Sequence, residues 1–600
     1  MYGKPRNEAK ASLESSYFLH RIFTPVTVFS TFTPRQIVVL CFKYSVYVKD
    51  KKITPLNWRI RSLLHAEDLR RNTHVFQSGA KGCLEQTGHG TMECSQLENE
   101  MASLNHSLLR EFEKWRFAKL KLLKQFPVDK EIKNFVRLVP NALFSKVLPS
   151  PLNSHVKLAI ASSEVLTEIL DLYPDIAESE FFVAFVSGNT FLDSSEPLAH
   201  RYGGHQFGSW SGQLGDGRAH LLGEYVNQWE LQLKGSGLTP YSRRGDGRAV
   251  IRSSVREFLA SEAMYHLGIP TSRAASLVVS DDPVWRDQFY DGNPKKERAA
   301  VVLRLAPSWF RIGSLEILTK NGEISLLRQL TDFIIDQYFP QTAKHAGPSV
   351  MNTDNFSILS LTIDYGPFGF LDHYDPNFVP NTSDDEGMYA IGNQATIGHF
   401  NLNKLREALL PLLNADGVAR TKTILAQYSE MYSKELMNLF RAKLGLEEKS
   451  EVTEYLVAML LKMMEDTKSD FTMTFRQLGE ISLEELNKGN IPEELWALAD
   501  VKQSIHFSEW TKLYTAQFSL LLETDLKRRE RMNAINPRYI LRNWMAQKVI
   551  EDVENNHFDS IKKLHRILQK PFTKQNEAEE LGYSERPPLW AKQLRVSCSS

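Results

Sequence analysis

Asn352-Thr-Asp-Asn-Phe-Ser-Ile-Leu-Ser-Leu-Thr-Ile-Asp-Tyr-Gly366 sets a polar cluster at one end of a short apolar stretch and Asp-x-Gly at the other. A divalent cation riding on nucleotide phosphates takes hard oxygen ligands, one or two of them from protein. Asn355 and Asp364 offer an amide and a carboxylate oxygen from the two ends of that stretch. Asp354 is left as a base to accept a hydroxyl proton. Taken alone, Asp354-Asn355 is also an ordinary Asx-rich turn leading into a strand. The Asp364-Tyr-Gly366 at the far end favours the metal reading.

Upstream, Trp229-Glu-Leu-Gln-Leu-Lys234 alternates apolar and polar residues, which predicts a half-buried strand ending on a lysine. Such a lysine pairs with phosphates when a carboxylate orients it, as in the protein-kinase plan of glycine loop, strand lysine and helix glutamate. By itself such a lysine is more commonly an exposed strand-end residue. Before it come Gly212, Gly215 and Gly217, which let backbone N–H groups approach phosphate oxygens, and Arg218, which adds a charged contact. The spacing is neither a Walker loop nor a dinucleotide fingerprint. After it, a helix is expected from about Ser254 to Leu267, closed by Gly268 and Pro270. Two glutamates on that helix are candidate partners for Lys234. Ser254-x-x-Glu257 reads as a capping box, and a helical wheel puts Glu262 nearer the apolar stripe of Val255, Phe258, Leu259 and Ala263, so the spacing leaves both open. Ala299–Leu305 reads as a further strand, with Arg304 and Arg311 bracketing the turn beyond it as a phosphate clamp or as plain ion-pair residues.

The chain has 600 residues, 42% hydrophobic, enough for more than one lobe. Lys+Arg and Asp+Glu each total 72, so no basic field points to nucleic acid and a nucleotide is held locally. The four cysteines, Cys41, Cys83, Cys94 and Cys598, have no C-x-x-C spacing and give the middle of the chain no disulfide framework. No apolar run is long enough to span a membrane; Gln36–Lys43 reads as a buried strand. Residues 1–63 hold only Glu8, Glu14 and Asp50 as acids among many basic and hydroxyl residues, the composition of a transit peptide or of a poorly ordered extension. Leu108–Leu123 reads as a helix. Beyond about residue 390 the apolar spacing is helical over Leu402–Leu413, Val452–Met464, Phe518–Met532 and Ile540–Val553.

The order of glycine loop, strand lysine, helix glutamate, Asp-Asn and Asp-Tyr-Gly mirrors a kinase, yet no His-Arg-Asp is present and the base and metal-binding Asn are adjacent. With these departures the chain resembles the selenoprotein O family of protein adenylyltransferases. The strings that carry the likeness are Tyr202-Gly-Gly-His-Gln-Phe-Gly208, Leu214-Gly-Asp-Gly-Arg218, Leu231-Gln-Leu-Lys-Gly235, Thr239-Pro-Tyr-Ser-Arg243, Asp246-Gly-Arg248, Arg256–Ala263, Asn352–Asn355, Thr362–Phe370 and Asn536-Pro-Arg-Tyr539. The resemblance implies an α+β, protein-kinase-like, two-lobed fold. The likeness runs from about Phe135 onward; the chain divides into an extension over 1–100 that matches nothing in the family, a strand-rich N-lobe with a preceding helical segment over 101–320, and a helical C-lobe over 321–600. The resemblance implies transfer of AMP from ATP to Ser, Thr or Tyr hydroxyls of proteins with Mg²⁺, or Mn²⁺ as the alternative. Matched by position, Gly215, Gly217, Arg218, Lys234, Asp246, Gly247, Arg304 and Arg311 contact ATP, and Glu257 pairs with Lys234. Asp354 is the proton acceptor, and Asn355 and Asp364 hold the metal. Cys598 stands third from the end, where some members carry selenocysteine. The family's habit in eukaryotes points to mitochondria, the cytoplasm being the alternative. The rival readings are a conventional kinase and a nucleotide-binding pseudokinase scaffold.

Overall fold

The computed structural model describes residues 108–226, 229–339, 352–365, 369–446, 451–518 and 524–597. The N-terminal extension, Gly366 and Cys598 lie outside the described residues. From Arg110 onward the chain belongs to one compact unit.

Its first half is built on an antiparallel sheet. In chain order the strands are β1 (Phe144–Lys146), β2 (Val156–Ala161), β3 (Leu198–His200), β4 (Gly203–Gln206), β5 (Ser209–Gln213), β6 (Ala219–Tyr225) and β7 (Trp229–Lys234). They continue with β8 (Ala249–Val250), β9 (Arg273–Arg286) and β10 (Lys295–Ala306). The large sheet runs β1-β3-β6-β7-β10-β9-β2, with β8 paired to β10; β4 and β5 form a separate hairpin. Only Ala299–Leu305 of the long β9–β10 pair was legible as a strand. The polar ends of both strands hide the rest, and Pro283, which has no N–H to donate, sits where the register slips between Arg298 and Ala300. β7 departs from the expected half-buried pattern: Glu230 to Lys234 are all buried. Its polar row faces other protein groups, Glu230 meeting the Trp309 backbone and Gln232 lying opposite Arg304 of β10.

The early helices are short: α1 (Lys121–Gln125), α2 (Ser163–Glu168) and α3 (Glu180–Ser187). The helix expected over Leu108–Leu123 is absent; a 3-10 turn at Phe112–Lys114 and α1 are its only helical parts. Phe112, Trp115 and Phe117 all turn inward, and Trp115 stacks on Tyr225 at 4.7 Å, so aromatic burial overrides helical charge spacing. α4 (Ile251–His266) starts three residues before Ser254, with Val250 as its N-cap. Ser254 is therefore inside the helix, and the capping-box reading of Glu257 falls.

Two helices follow the sheet, α5 (Ile312–Lys320) and α6 (Ile324–Tyr338). The rest is helical: α7 (Gln394–Leu409), α8 (Ala415–Ala426), α9 (Tyr428–Lys443), α10 (Glu451–Thr467), α11 (Phe471–Leu478) and α12 (Leu483–Lys488). α13 (Trp496–Val501), α14 (Phe507–Ala516), α15 (Asp525–Ile535), α16 (Asn543–Glu554), α17 (Asp559–Leu568) and α18 (Asn576–Glu580) complete it. The expected Phe518–Met532 helix is offset, α14 ending at Ala516 and α15 beginning at Asp525.

Three large cores hold most of these parts. One joins Leu198 and Leu221 of the sheet to α5, α6, α7 and the apolar residues Phe356, Ile358 and Ile363. A second lays Val255, Phe258 and Leu259 of α4 against Leu277, Val279 and Val302, with Trp544, Ile550 and Leu564 of α16 and α17 in the same cluster. The third lies mainly within the helical part, from Leu436 to Met532, with Tyr374 and Ile391 joining it. α4 is thus apolar on more than one side, which is why the wheel could not tell its functional face.

Candidate active site

β7, α4, β10 and the Ile363–Asp364 segment deliver four charged side chains to one place. Lys234 Nζ lies 2.5 Å from Glu257 Oε2 and 3.0 Å from Asp364 Oδ1. Glu257 Oε1 accepts from Arg304 Nη1 at 2.8 Å. Arg304 makes three further hydrogen bonds, two to Gln232 Oε1 and one to the Ile363 carbonyl, and its guanidinium lies 4.4 Å from the Trp309 ring centre. Two cations and two anions are buried together, so none is left uncompensated. Only Asp364 keeps substantial access, 28% of its side chain against 6–7% for the other three, so it is the member that faces the cleft. Burial works against its charge, but Lys234, Arg304 and Arg218 hold the carboxyl well below the usual carboxylate range.

Glu262, the alternative on α4, does structural work instead. It takes both hydrogen bonds of a forked pair with Arg273, at 2.9 and 2.8 Å, and one from the Ala274 N–H. The choice between the two glutamates is therefore made by β9 and β10, which place an arginine opposite each.

Arg311 precedes α5 and is buried. Its guanidinium lies 3.9 Å from the Tyr202 ring centre and 3.5 Å from Asp216 Oδ1. Nε and Nη1 have no hydrogen-bond partner among the described residues. A buried guanidinium with open donors suits an anion. Asp354 is also buried, its Oδ2 accepting from Gln206 Nε2 at 2.9 Å and its Oδ1 without a partner among the described residues. Burial pushes the Asp354 carboxyl up to about 6, against the pull of the Gln206 amide and Arg311. Asn355 follows, half-buried, with its backbone N–H donating to the Asn352 carbonyl.

The glycine-rich segment reaches this place next to Lys234, the Arg218 carbonyl accepting from the Gly235 N–H at 2.7 Å. Gly215 has φ +89°, and a Cβ there would lie 2.5 Å from Tyr241 Cγ, so its first role is to let Tyr241 in. Gly217 meets the same segment: its carbonyl accepts from the Ser242 hydroxyl at 2.5 Å. Asp246 lies further out on that loop, exposed and forked onto Arg286 at 2.7 and 2.8 Å. Gly247 returns to the centre through its carbonyl, which accepts from the Gly237 N–H, three residues after Lys234. Lys234, Glu257, Arg304 and Asp364 are thus in direct contact, whereas Asp246 joins them only through its loop.

Gln206, Gln232 and Tyr389 belong to the site and were not singled out from the sequence. The signal for Gln206 was the Gly203-Gly204 pair just before it, which marks a close backbone approach. Tyr389 had no such mark; its hydroxyl donates to Asn352 Oδ1 at 2.5 Å.

The donor set at Asn355 and Asp364, one amide and one carboxylate oxygen, fits a hard cation that arrives with phosphate oxygens and water. Among the described residues no cluster of three His, Cys, Asp or Glu side chains is arranged to hold a metal unaided. No helix of the described residues is long and apolar enough to cross a membrane.

A family model described as protein adenylyltransferase SelO matches residues 128–348 and 345–570. Among similar curated proteins, the protein nucleotidyltransferase YdiU of Tolumonas auensis is 39% identical over 528 residues, covering 80% of this chain and 98% of its own. Its namesake in Azoarcus sp. BH72 is 40% identical over 513 residues, covering 80% and 97%. That of Ectopseudomonas mendocina is 40% identical over 514 residues, covering 80% and 100%. With the matched region spanning every charged residue of the cleft, the chain belongs to the protein adenylyltransferase SelO family.

Proposed function

We propose that this chain is a protein adenylyltransferase that moves AMP from ATP to a Ser, Thr or Tyr hydroxyl of a protein. The observation that carries the reading is the joining of Lys234, Glu257, Arg304 and Asp364 in one neutral cluster, with a buried base, Asp354, in the same electrostatic neighbourhood. The sheet-rich and helical parts act as the two lobes of a kinase-like cleft, over 101–320 and 321–600. ATP lies between them with its β- and γ-phosphates innermost, against Lys234, Arg218 and the open donors of Arg311, and with Gly215, Gly217, Asp246 and Gly247 along its length. Arg304 acts on the nucleotide mainly by fixing Glu257 and the Ile363 carbonyl.

Asp354 accepts the proton of the incoming hydroxyl as its oxygen bonds to the α-phosphorus and the bond to the β-phosphate oxygen breaks. The charge that develops on departing pyrophosphate is met by Lys234, Arg218 and Arg311, which are already in place. Asn355 and Asp364 would hold Mg²⁺ or Mn²⁺, which when bound supplies further charge neutralisation at the phosphates. The deciding experiment gives the protein ATP labelled on either the α- or the γ-phosphate. The expected outcome is protein-bound α-label and a mass gain of one AMP; γ-label alone would make it a kinase. A mitochondrial destination rests on the composition of residues 1–63 and is tested by imaging a fusion with and without them.

A further inference from the structure

Asp354 is held by an element that the proposed chemistry has not used. The β4–β5 hairpin lies backbone to backbone with the Asn352–Asn355 turn. The His205 N–H donates to Thr353 Oγ1 at 2.6 Å, and the Thr353 N–H returns to the His205 carbonyl at 3.2 Å. The approach is so close that a Cβ on Gly204 would lie 2.9 Å from Asp354 Cβ. The hairpin is itself pinned. His205 Nδ1 shares a 2.6 Å hydrogen bond with Glu316 of α5, both buried. On its far side the Tyr389 hydroxyl accepts from the Phe207 N–H at 2.8 Å while donating to Asn352. Between these two anchors stands Gln206, and its Nε2 donates to Asp354 Oδ2 at 2.9 Å.

We infer that Gln206 is a positioning residue for Asp354, committing Oδ2 so that Oδ1 is the oxygen presented to the acceptor hydroxyl. The inference rests on the reading of Asp354 as the proton acceptor. The last torsion of an aspartate is soft and two-fold, so a carboxylate with no partner turns freely and either oxygen faces a given direction. Here one oxygen is taken and the other is buried without a partner among the described residues. The kind of donor matters. A primary amide fixes direction with a neutral N–H and adds no ion pair to the carboxylate.

The test compares Gln206→Met and Gln206→Glu with the full-length chain, using Asp354→Asn as reference. Transfer of α-label from ATP with Mg²⁺ is measured on the enzyme itself and on β-casein, giving kcat and the KM for ATP; calorimetry gives ATP binding. Met keeps the length of Gln206 without the donor, and Glu keeps its shape and polarity but sets a second carboxylate against Asp354. The expected result is a fall in kcat of about tenfold or more for Met and a larger one for Glu, with ATP binding unchanged. A Gln206→Met enzyme with wild-type kcat overturns the inference, and so does a loss of ATP binding in step with kcat, which marks a purely structural role. Should Gln206→Met not fold, the Glu variant decides by the same two criteria. If Asp354→Asn is inactive while both Gln206 variants are normal, only the positioning role fails. If Asp354→Asn transfers AMP normally, the reading of the base fails instead.

Discussion

Asp364 balances Lys234, Arg304 and Arg218 while keeping the accessible face of the cluster. Asp364→Ala removes the proposed anionic metal ligand and leaves Glu257 as the remaining carboxylate against that positive charge. Transfer should fall below detection, with a cooperative thermal transition still present because the cores do not use this side chain. AMP incorporation followed by mass, beside a melting curve, checks both halves. Glu262 gives a prediction of a different kind. Burial alone would raise its pKa, but Arg273 and the His565 ring 3.9 Å away bring it down to about 2 from an ordinary 4.5. The unfolded chain therefore binds this proton more readily than the folded one. Its contribution to stability is complete above about pH 4.5 and fades as pH falls toward 2. Glu262→Gln should cost about 3 kcal/mol or more at pH 7, leaving Arg273 buried beside a neutral amide, and the gap to wild type should close in acid. Denaturant melts at pH 7 and pH 3 measure it. The two glutamates also mark the limit of reading this helix from sequence. The residue types and their order pointed to the site, but the choice between positions 257 and 262 depends on Arg304 and Arg273, which arrive from other strands.

At the scale of elements, local periodicity found β7, most of β10 and the helices α4, α10 and α16 within a few residues. It failed where the third dimension decides. Phe112, Trp115 and Phe117 have helix-like surroundings in sequence but are gathered into one aromatic cluster with Phe182, Phe185 and Tyr225. The β4–β5 hairpin was legible only as dense glycine, although it reaches Asp354. Its closeness depends on Gly313 at the start of α5, where a Cβ would overlap the Gly203 carbonyl. Gly313→Ala should therefore push the hairpin off the Asn352–Asn355 turn. The expected outcome is a loss of about 2 kcal/mol or more in stability and a fall in transfer greater than that loss explains, read from melts and kcat together. α4 is tied from behind as well: Arg256 reaches Asn543 Oδ1, and the Asn543 side chain bonds both backbone groups of Phe370. Trp544→Ala, emptying a buried position in that layer, should cost about 3–5 kcal/mol.

For the whole molecule, the family match begins at residue 128, and from Arg110 onward the chain belongs to one compact unit. Deleting residues 1–100 should leave a folded protein that binds ATP, as size-exclusion and calorimetry would show. Insolubility of that protein would mean the extension serves the core. The other end behaves differently, because α16 and α17 share a core with α4. A ribosome delivers Lys234, Glu257, Arg304, Asp354 and Asp364 long before it delivers the helices that back α4. Roughly 180 residues separate Asp364 from Leu541, an interval of about 10 to 35 s at ordinary elongation rates. Throughout that time the nascent chain owns every charged group of the cleft and lacks the wall that keeps Glu257 in line with Lys234. A cleft assembled in this order is complete only once α16 and α17 have emerged to pack on α4.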